Sequence, residues 1–97
     1  MNIRVSKEFE KSAKKLSGKY KETLKQTILE IKFAQSLNEI TDCKKLVGFN
    51  SVYRVRMGYY RLFFIFEIVE NTVFLKYLVS RGEAYQKSNL DILRKFD

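Results

Sequence analysis

Between Lys44 and Arg61 the chain carries five basic residues and no acidic one, interleaved with Phe49, Tyr53, Tyr59 and Tyr60. Cationic heads beside aromatic rings suit a phosphate backbone whose bases stack on the rings. Gly58-Tyr59 divides two β-rich runs and fits a two-residue type II′ hairpin turn with glycine first. That turn sets Met57 against Tyr60, Arg56 against Arg61 and Val55 against Leu62, and the period of two puts Arg54 on the face of Arg56. Like charges facing each other on a sheet oppose folding, so folding alone gives no reason to collect three arginines on one surface. They form either an anion site or a solvated edge whose stems cover apolar surface. The shared face favours the anion site.

Arg81 and Tyr85 form a second element, just past the third β-rich run. If Glu70-Asn71 is a two-residue turn, Arg61 lies opposite Ser80, and one more loop residue would set it opposite Arg81. Taken singly, Tyr85 would be an aromatic that seats the last helix, and Arg81 a strand-end charge in water. Lys76 is a further candidate for the basic surface, together with Lys44, Lys45 and Tyr53. Lys7, Lys11, Lys14 and Lys15 read as the solvent face of a helix.

The chain has no histidine and a single cysteine, Cys43. Catalytic arrangements built on histidine are therefore excluded, and so are an intrachain disulfide and a Cys/His zinc site. Any chemistry must run on Lys, Arg, Tyr or carboxylates, and no metal or cofactor is expected. Nineteen Lys and Arg against eleven Asp and Glu give a net charge of +8, which attracts polyanions without choosing among nucleic acid, anionic membrane and acidic protein.

The elements that must position these residues are legible from the periodicity. Ninety-seven residues with no proline and no repeat predict one domain spanning 1–97. No run approaches the roughly 18 apolar residues of a membrane helix, and the N-terminal stretch lacks the apolar centre of a signal peptide, so a cytoplasmic protein is expected. Asn2 to Val5 suits a short strand. Ser6 is a candidate N-cap for a helix carrying Phe9, Ala13 and Leu16, which Gly18 would end. Tyr20, Leu24, Ile28 and Ile31 continue as the stripe of a second helix, and the two make an αα-hairpin. After an irregular stretch from about Asn38 to Ser51 come strands over Val52 to Met57, Tyr60 to Val69 and Thr72 to Val79. The apolar run Leu62 to Ile65 belongs in a central strand covered by the helical pair, because as an open edge it would aggregate. Ser88-Asn89-Leu90-Asp91 resembles a capping signal for a final helix that starts between Glu83 and Asn89.

Taken in order, the strand, the helix pair, Lys45-Leu46-Val47-Gly48, the segment Tyr53-Arg54-Val55-Arg56-Met57-Gly58-Tyr59-Tyr60-Arg61-Leu62, and Arg81 with Tyr85 resemble the RelE/ParE superfamily of bacterial and archaeal type II toxin–antitoxin toxins. The resemblance covers nearly the whole chain. It implies a small α+β fold with an antiparallel central sheet, an N-terminal helical hairpin packed on it and a short C-terminal helix. The RelE-like branch cleaves mRNA in the ribosomal A site, and the ParE-like branch poisons DNA gyrase. Arg61 matches the arginine of the family's G-x-Y-R segment, Arg54 and Arg56 take the basic strand positions, and Arg81 and Tyr85 match the C-terminal Arg and Tyr. This set favours the RNase branch. Tyr59 stands where many members carry Asp, and arginines stand where the best-known RNases carry lysines.

The reaction so implied is attack of a ribose 2′-OH on the adjacent phosphate. It releases a 5′-OH and leaves a 2′,3′-cyclic phosphate. Arg61, Arg81, Arg56 and Tyr85 would be the catalytic set, with Arg54, Lys44, Lys45, Tyr53 and Lys76 binding RNA. Arginines stabilise phosphorane charge well and accept protons poorly, which leaves Tyr85, then Lys76, to exchange protons. The implied partners are an acidic antitoxin, in a toxin–antitoxin hetero-oligomer, and the ribosome with its mRNA; a membrane is not among them. The competing readings are a gyrase inhibitor and a catalytically silent domain that only binds an antitoxin.

Overall fold

The computed structural model describes residues 1–97. Strand β1 (Asn2–Val5) leads into α1 (Lys7–Lys14) and α2 (Gly18–Phe33); then follow β2 (Cys43–Lys45), β3 (Val52–Met57), β4 (Tyr60–Glu67), β5 (Thr72–Ser80) and α3 (Lys87–Arg94). The five strands form one sheet in the order β1-β5-β4-β3-β2. The expected α+β class and helical hairpin are present. The sheet itself is mixed, because β1 runs parallel to β5 while every other pairing is antiparallel.

Ser6 starts α1 as its spacing predicts. Its hydroxyl oxygen accepts from the Phe9 N–H at 3.0 Å and donates to the Lys76 carbonyl at 2.6 Å, tying the helix start to β5. The helix stops sooner than expected, at Lys14, and Gly18, with φ of +57°, opens α2 instead of closing α1. On α2 the stripe faces inward as read, with Leu24 and Ile31 buried and Lys21, Lys25 and Lys32 in solvent.

Alternation along β3, β4 and β5 sorts side chains onto two faces, each with its own core. Val55, Met57, Leu62, Phe64, Val73, Leu75 and Leu78 pack under α1 and α2. Val52, Phe63 and Ile65 face the other way, toward Ala84 and Leu93 of the C-terminal segment. Phe63 and Phe64 are both fully buried, one in each core, so β4 is the covered central strand that its apolar run implies. With burial of a large side chain contributing about 1.5–3 kcal/mol, this adjacent pair anchors both halves.

The hairpin register follows the sequence reading: Met57 pairs with Tyr60, Arg56 with Arg61 and Val55 with Leu62, and Gly58 has φ of +64°. The next register does not. Arg61 faces Val79, not Ser80 or Arg81, because the β4–β5 turn takes the four residues Ile68 to Asn71, and a bulge falls between Phe63 and Phe64. Strand β4 accordingly ends at Glu67, short of Val69. The stretch read as irregular holds a 3-10 turn at Leu37–Glu39 and the edge strand β2, which carries Lys44 and Lys45. Helix α3 begins within the expected window, with Gln86 at its N-cap position; Ser88 lies inside the helix.

Candidate functional site

The α3 face of the sheet grades from apolar to cationic. Register sets three rows across β3, β4 and β5: Val52-Ile65-Phe74, then Arg54-Phe63-Tyr77, then Arg56-Arg61-Val79. Helix α3 covers the first row, and its buried Leu93 belongs to the same core as Val52 and Ile65. The arginines occupy the rows beyond it. Lys44 of β2 lies directly opposite Arg54, and Arg56 directly opposite Arg61, so two like-charged pairs face each other. Each such pair costs about 0.2–1 kcal/mol of sheet stability.

A cleft of about 310 Å³ opens between the β2–β3 segment and α3. Lys44, Lys45, Arg54, Arg94 and Tyr85 line it with Leu46, Val47, Phe49 and Leu90, and no carboxylate does. Among these Arg54 is half-buried. Its Nη1 donates to the Tyr85 hydroxyl at 3.2 Å, while its buried Nε has no hydrogen-bond partner. A buried, unpaired N–H on a cation costs more than the usual 1–3 kcal/mol of an orphaned polar group. Tyr85 is 47% exposed and rests its ring edge-on against Phe63, 6.1 Å between centroids. It therefore seats the C-terminal segment and also presents its hydroxyl to the cleft.

The other arginines stand near the open end of the sheet. Arg61 folds back over its own hairpin, Nη1 donating to the carbonyls of Gly58 at 2.7 Å and Tyr60 at 2.9 Å, which leaves Nε and Nη2 without a protein partner. Arg56 is exposed and reaches Asp42 at 3.5 Å, an ion pair that water weakens. Arg81 lies in the turn after β5, where its backbone N–H donates to the Tyr59 carbonyl at 2.8 Å and its side chain is free in solvent.

Two of the basic-surface candidates lie elsewhere. Tyr53 points to the opposite face, stacked on Phe64 at 5.5 Å among residues packed under the helical hairpin. Odd and even positions of β3 face opposite cores, so a tyrosine beside Arg54 cannot share its face. Lys76 is buried near the far end of the α3 face, its Nζ held between the Phe74 and Phe96 rings at 3.7 and 3.8 Å. Desolvation pushes its pKa below the ordinary lysine value. Burial also drives the Cys43 thiol up to about 11, which leaves it protonated at neutral pH.

Arg94 escapes the sequence reading. Its guanidinium lies 4.4 Å from the Phe49 ring centroid and donates to the Gly48 carbonyl at 3.3 Å. The signal available was only a basic residue one place after Leu93 in a short amphipathic helix, which nothing local connects to Phe49. A larger hollow of about 580 Å³ between α2 and β3 contains one cation, Arg56, beside Glu30 and offers no convergent charge. No three His, Cys, Asp or Glu side chains gather in a way that could hold a metal ion. No helix is long and apolar enough to cross a membrane.

No protein-family model matches the chain. It is similar to the toxin RelE3 of Methanocaldococcus jannaschii, with 30% identity over 86 residues that span 88% of this chain and 96% of that one. The fold is similar to the RelB–RelE antitoxin–toxin complex of Methanococcus jannaschii, with a TM-score of 0.72 and 27% identity, covering 87% of this chain and 96% of that one. An archaeal RelE–RelB complex from Pyrococcus horikoshii shares the fold at a TM-score of 0.71 and 21% identity, covering 86% and 97%.

Proposed function

The chain belongs to the RelE family of toxins, and from that premise we propose that it is a ribosome-dependent endoribonuclease, held in check by an antitoxin. The carrying observation is the carboxylate-free cleft in which Arg54 meets the Tyr85 hydroxyl and keeps an unpaired N–H. In the proposed reaction a ribose 2′-oxygen attacks the neighbouring phosphorus as its proton passes to water, the P–O5′ bond breaks as O5′ takes up a proton, and the products are a 2′,3′-cyclic phosphate and a 5′-OH. Arg54 with Arg61, Arg56 and Arg81 would neutralise charge growing on the phosphorane oxygens, each guanidinium staying protonated. Because Tyr85 Oη already accepts from Arg54, its own proton is free to pass to the departing O5′, and the hydroxyl regains one from solvent. Cys43 stays protonated and Lys76 is enclosed by aromatic rings, so neither serves as a proton acceptor here. A cleft so poor in bases depends on the ribosome to hold the RNA in line, which supplies the orientation part of the barrier.

Relatives of known structure are captured with RelB antitoxins, and the same class of partner is proposed for this chain. Nineteen basic residues take part in only two ion pairs, Arg4–Glu67 and Arg56–Asp42, which leaves the charge excess to attract an acidic segment.

Inducing the chain in bacteria without an antitoxin is expected to stop translation, and primer extension on a translated reporter mRNA should find new 5′ ends inside codons. Translation that continues while DNA breaks accumulate would overturn this reading in favour of gyrase.

A further inference from the structure

Arg94 and Phe49 form a cation–π pair that the proposed cleavage chemistry does not use. Phe49 is 5% exposed and lies in the core under α3, so its ring is fixed. Arg94 is exposed and its guanidinium carbon stands 4.4 Å from that ring, with Nη1 anchored to the Gly48 carbonyl. The guanidinium is thus backed by a rigid aromatic and makes no ion pair, Asp97 acting on it only through its field. Just past this same end of the helix the Asp97 carboxylate accepts from the N–H groups of Asn50 and Ser51 and from the Ser51 hydroxyl, which holds the end that carries Arg94 to the segment that carries Phe49. Lys44 and Lys45 border the same cleft from β2, and apolar Leu46, Val47 and Leu90 complete its walls.

A guanidinium already backed by an aromatic ring can receive a nucleobase on its outer face with little further ordering cost. Cations on two sides of an apolar-walled cleft fit one unpaired nucleotide, base on the plane and phosphates at the rim. We propose that Arg94, braced by Phe49, is a positioning residue that stacks one base of single-stranded RNA beside the cleavage centre, so that α3 forms a wall of the RNA groove. This deepens the nuclease reading and rests on it for the reaction, though base stacking can be measured without cleavage. Stacking favours any base with an exposed face, so the contact sets the position of the strand more than its sequence.

The test uses the full chain with Arg94→Ala and Arg94→Lys. For cleavage of ribosome-bound mRNA, Arg94→Ala should raise KM about five- to a hundredfold, the range for losing one stacked base, and leave kcat within about threefold. Arg94→Lys restores the charge without the plane, so it should recover the salt dependence of binding while KM stays raised. Binding of a fluorescent single-stranded RNA hexamer gives a second readout, with the melting temperature followed for every variant. If the wild type cleaves and both variants keep its KM and its hexamer affinity, the stacking role is refuted and the nuclease reading stands. If the wild type fails to cleave, the nuclease reading falls, and hexamer binding decides the stacking role alone: affinity insensitive to Arg94→Ala refutes it. Losses in both variants that only follow a lowered melting temperature assign Arg94 to folding and also refute it.

Discussion

At the scale of single residues, the role proposed for Arg54 sets binding against folding. Its half-buried head faces Lys44 across the sheet and keeps one N–H unpaired, two unfavourable terms within one side chain. Arg54→Met retains an apolar stem of similar reach and removes both terms. Thermal denaturation should therefore show unchanged or higher stability, by up to about 2 kcal/mol, while mRNA cleavage falls a hundredfold or more. A variant that melts early would show that Arg54 is needed for the fold. Tyr85→Phe separates hydroxyl from ring: the edge contact with Phe63 stays, and only the partner of Arg54 is lost. Cleavage should drop by roughly 10²–10⁴ if the hydroxyl transfers a proton, with melting little changed. Near-normal turnover in Tyr85→Phe would reduce this tyrosine to the helix seat that its aromaticity alone suggests.

Elements decide which residues meet, and here the sequence is informative wherever one local rule suffices. Gly58 at the first turn position fixes the β3–β4 register and so the juxtaposition of Arg56 with Arg61. The β4–β5 register needed the length of the turn, which Glu70-Asn71 locates without measuring, and a bulge at Phe63/Phe64, which has no local signature within the apolar run Leu62 to Phe66. The parallel pairing of β1 with β5 and the three-residue β2 are equally silent, since both are set by partners distant in sequence. The placement of Lys76 was illegible for the same reason: only the docked α3 segment brings Phe96 over it.

The anchor of α3 is open to a pH experiment. Desolvation is the largest single influence on Asp97 and acts upward, but the hydrogen bonds from Asn50 and Ser51 together with the field of Arg94 outweigh it, and its pKa falls below the ordinary 3.8. A depressed carboxylate pKa contributes stability that is present above the unfolded value and is lost as pH falls through the folded value. NMR titration of the Asn50 and Ser51 amides should therefore give a midpoint below 3.8, and Asp97→Asn should remove that transition. At the opposite side of the sheet, Ser6→Ala removes an N-cap and the bond to Lys76, and chemical denaturation should register a loss of about 0.5–2 kcal/mol.

The whole molecule is a cation folded around two cores, with a net charge of +8 and just two weak ion pairs, at 3.5 and 3.9 Å. Both stability and partner choice follow from that excess, with opposite responses to salt. Self-repulsion of the folded state weakens when ions screen it, and at about 0.1 M salt the screening length is already near 10 Å, shorter than the 35 Å long axis of the domain. Raising monovalent salt from about 50 to 200 mM should therefore raise the melting temperature. Over the same range RNA binding should weaken, because each phosphate contact releases a counterion, with a slope of about −0.7 per contact on logarithmic axes for single strands. Replacing Lys44 and Lys45 together by alanine removes two cations from the cleft rim, at the exposed β2 edge where no core packing depends on them. The double variant should bind the RNA hexamer with a slope shallower by one to two contacts and should melt at or above the wild-type temperature, since Lys44 no longer opposes Arg54. Equal slopes for wild type and variant would mean that the strand does not pass this rim, and the path of the RNA would then have to run over Arg56, Arg61 and Arg81 at the open end of the sheet.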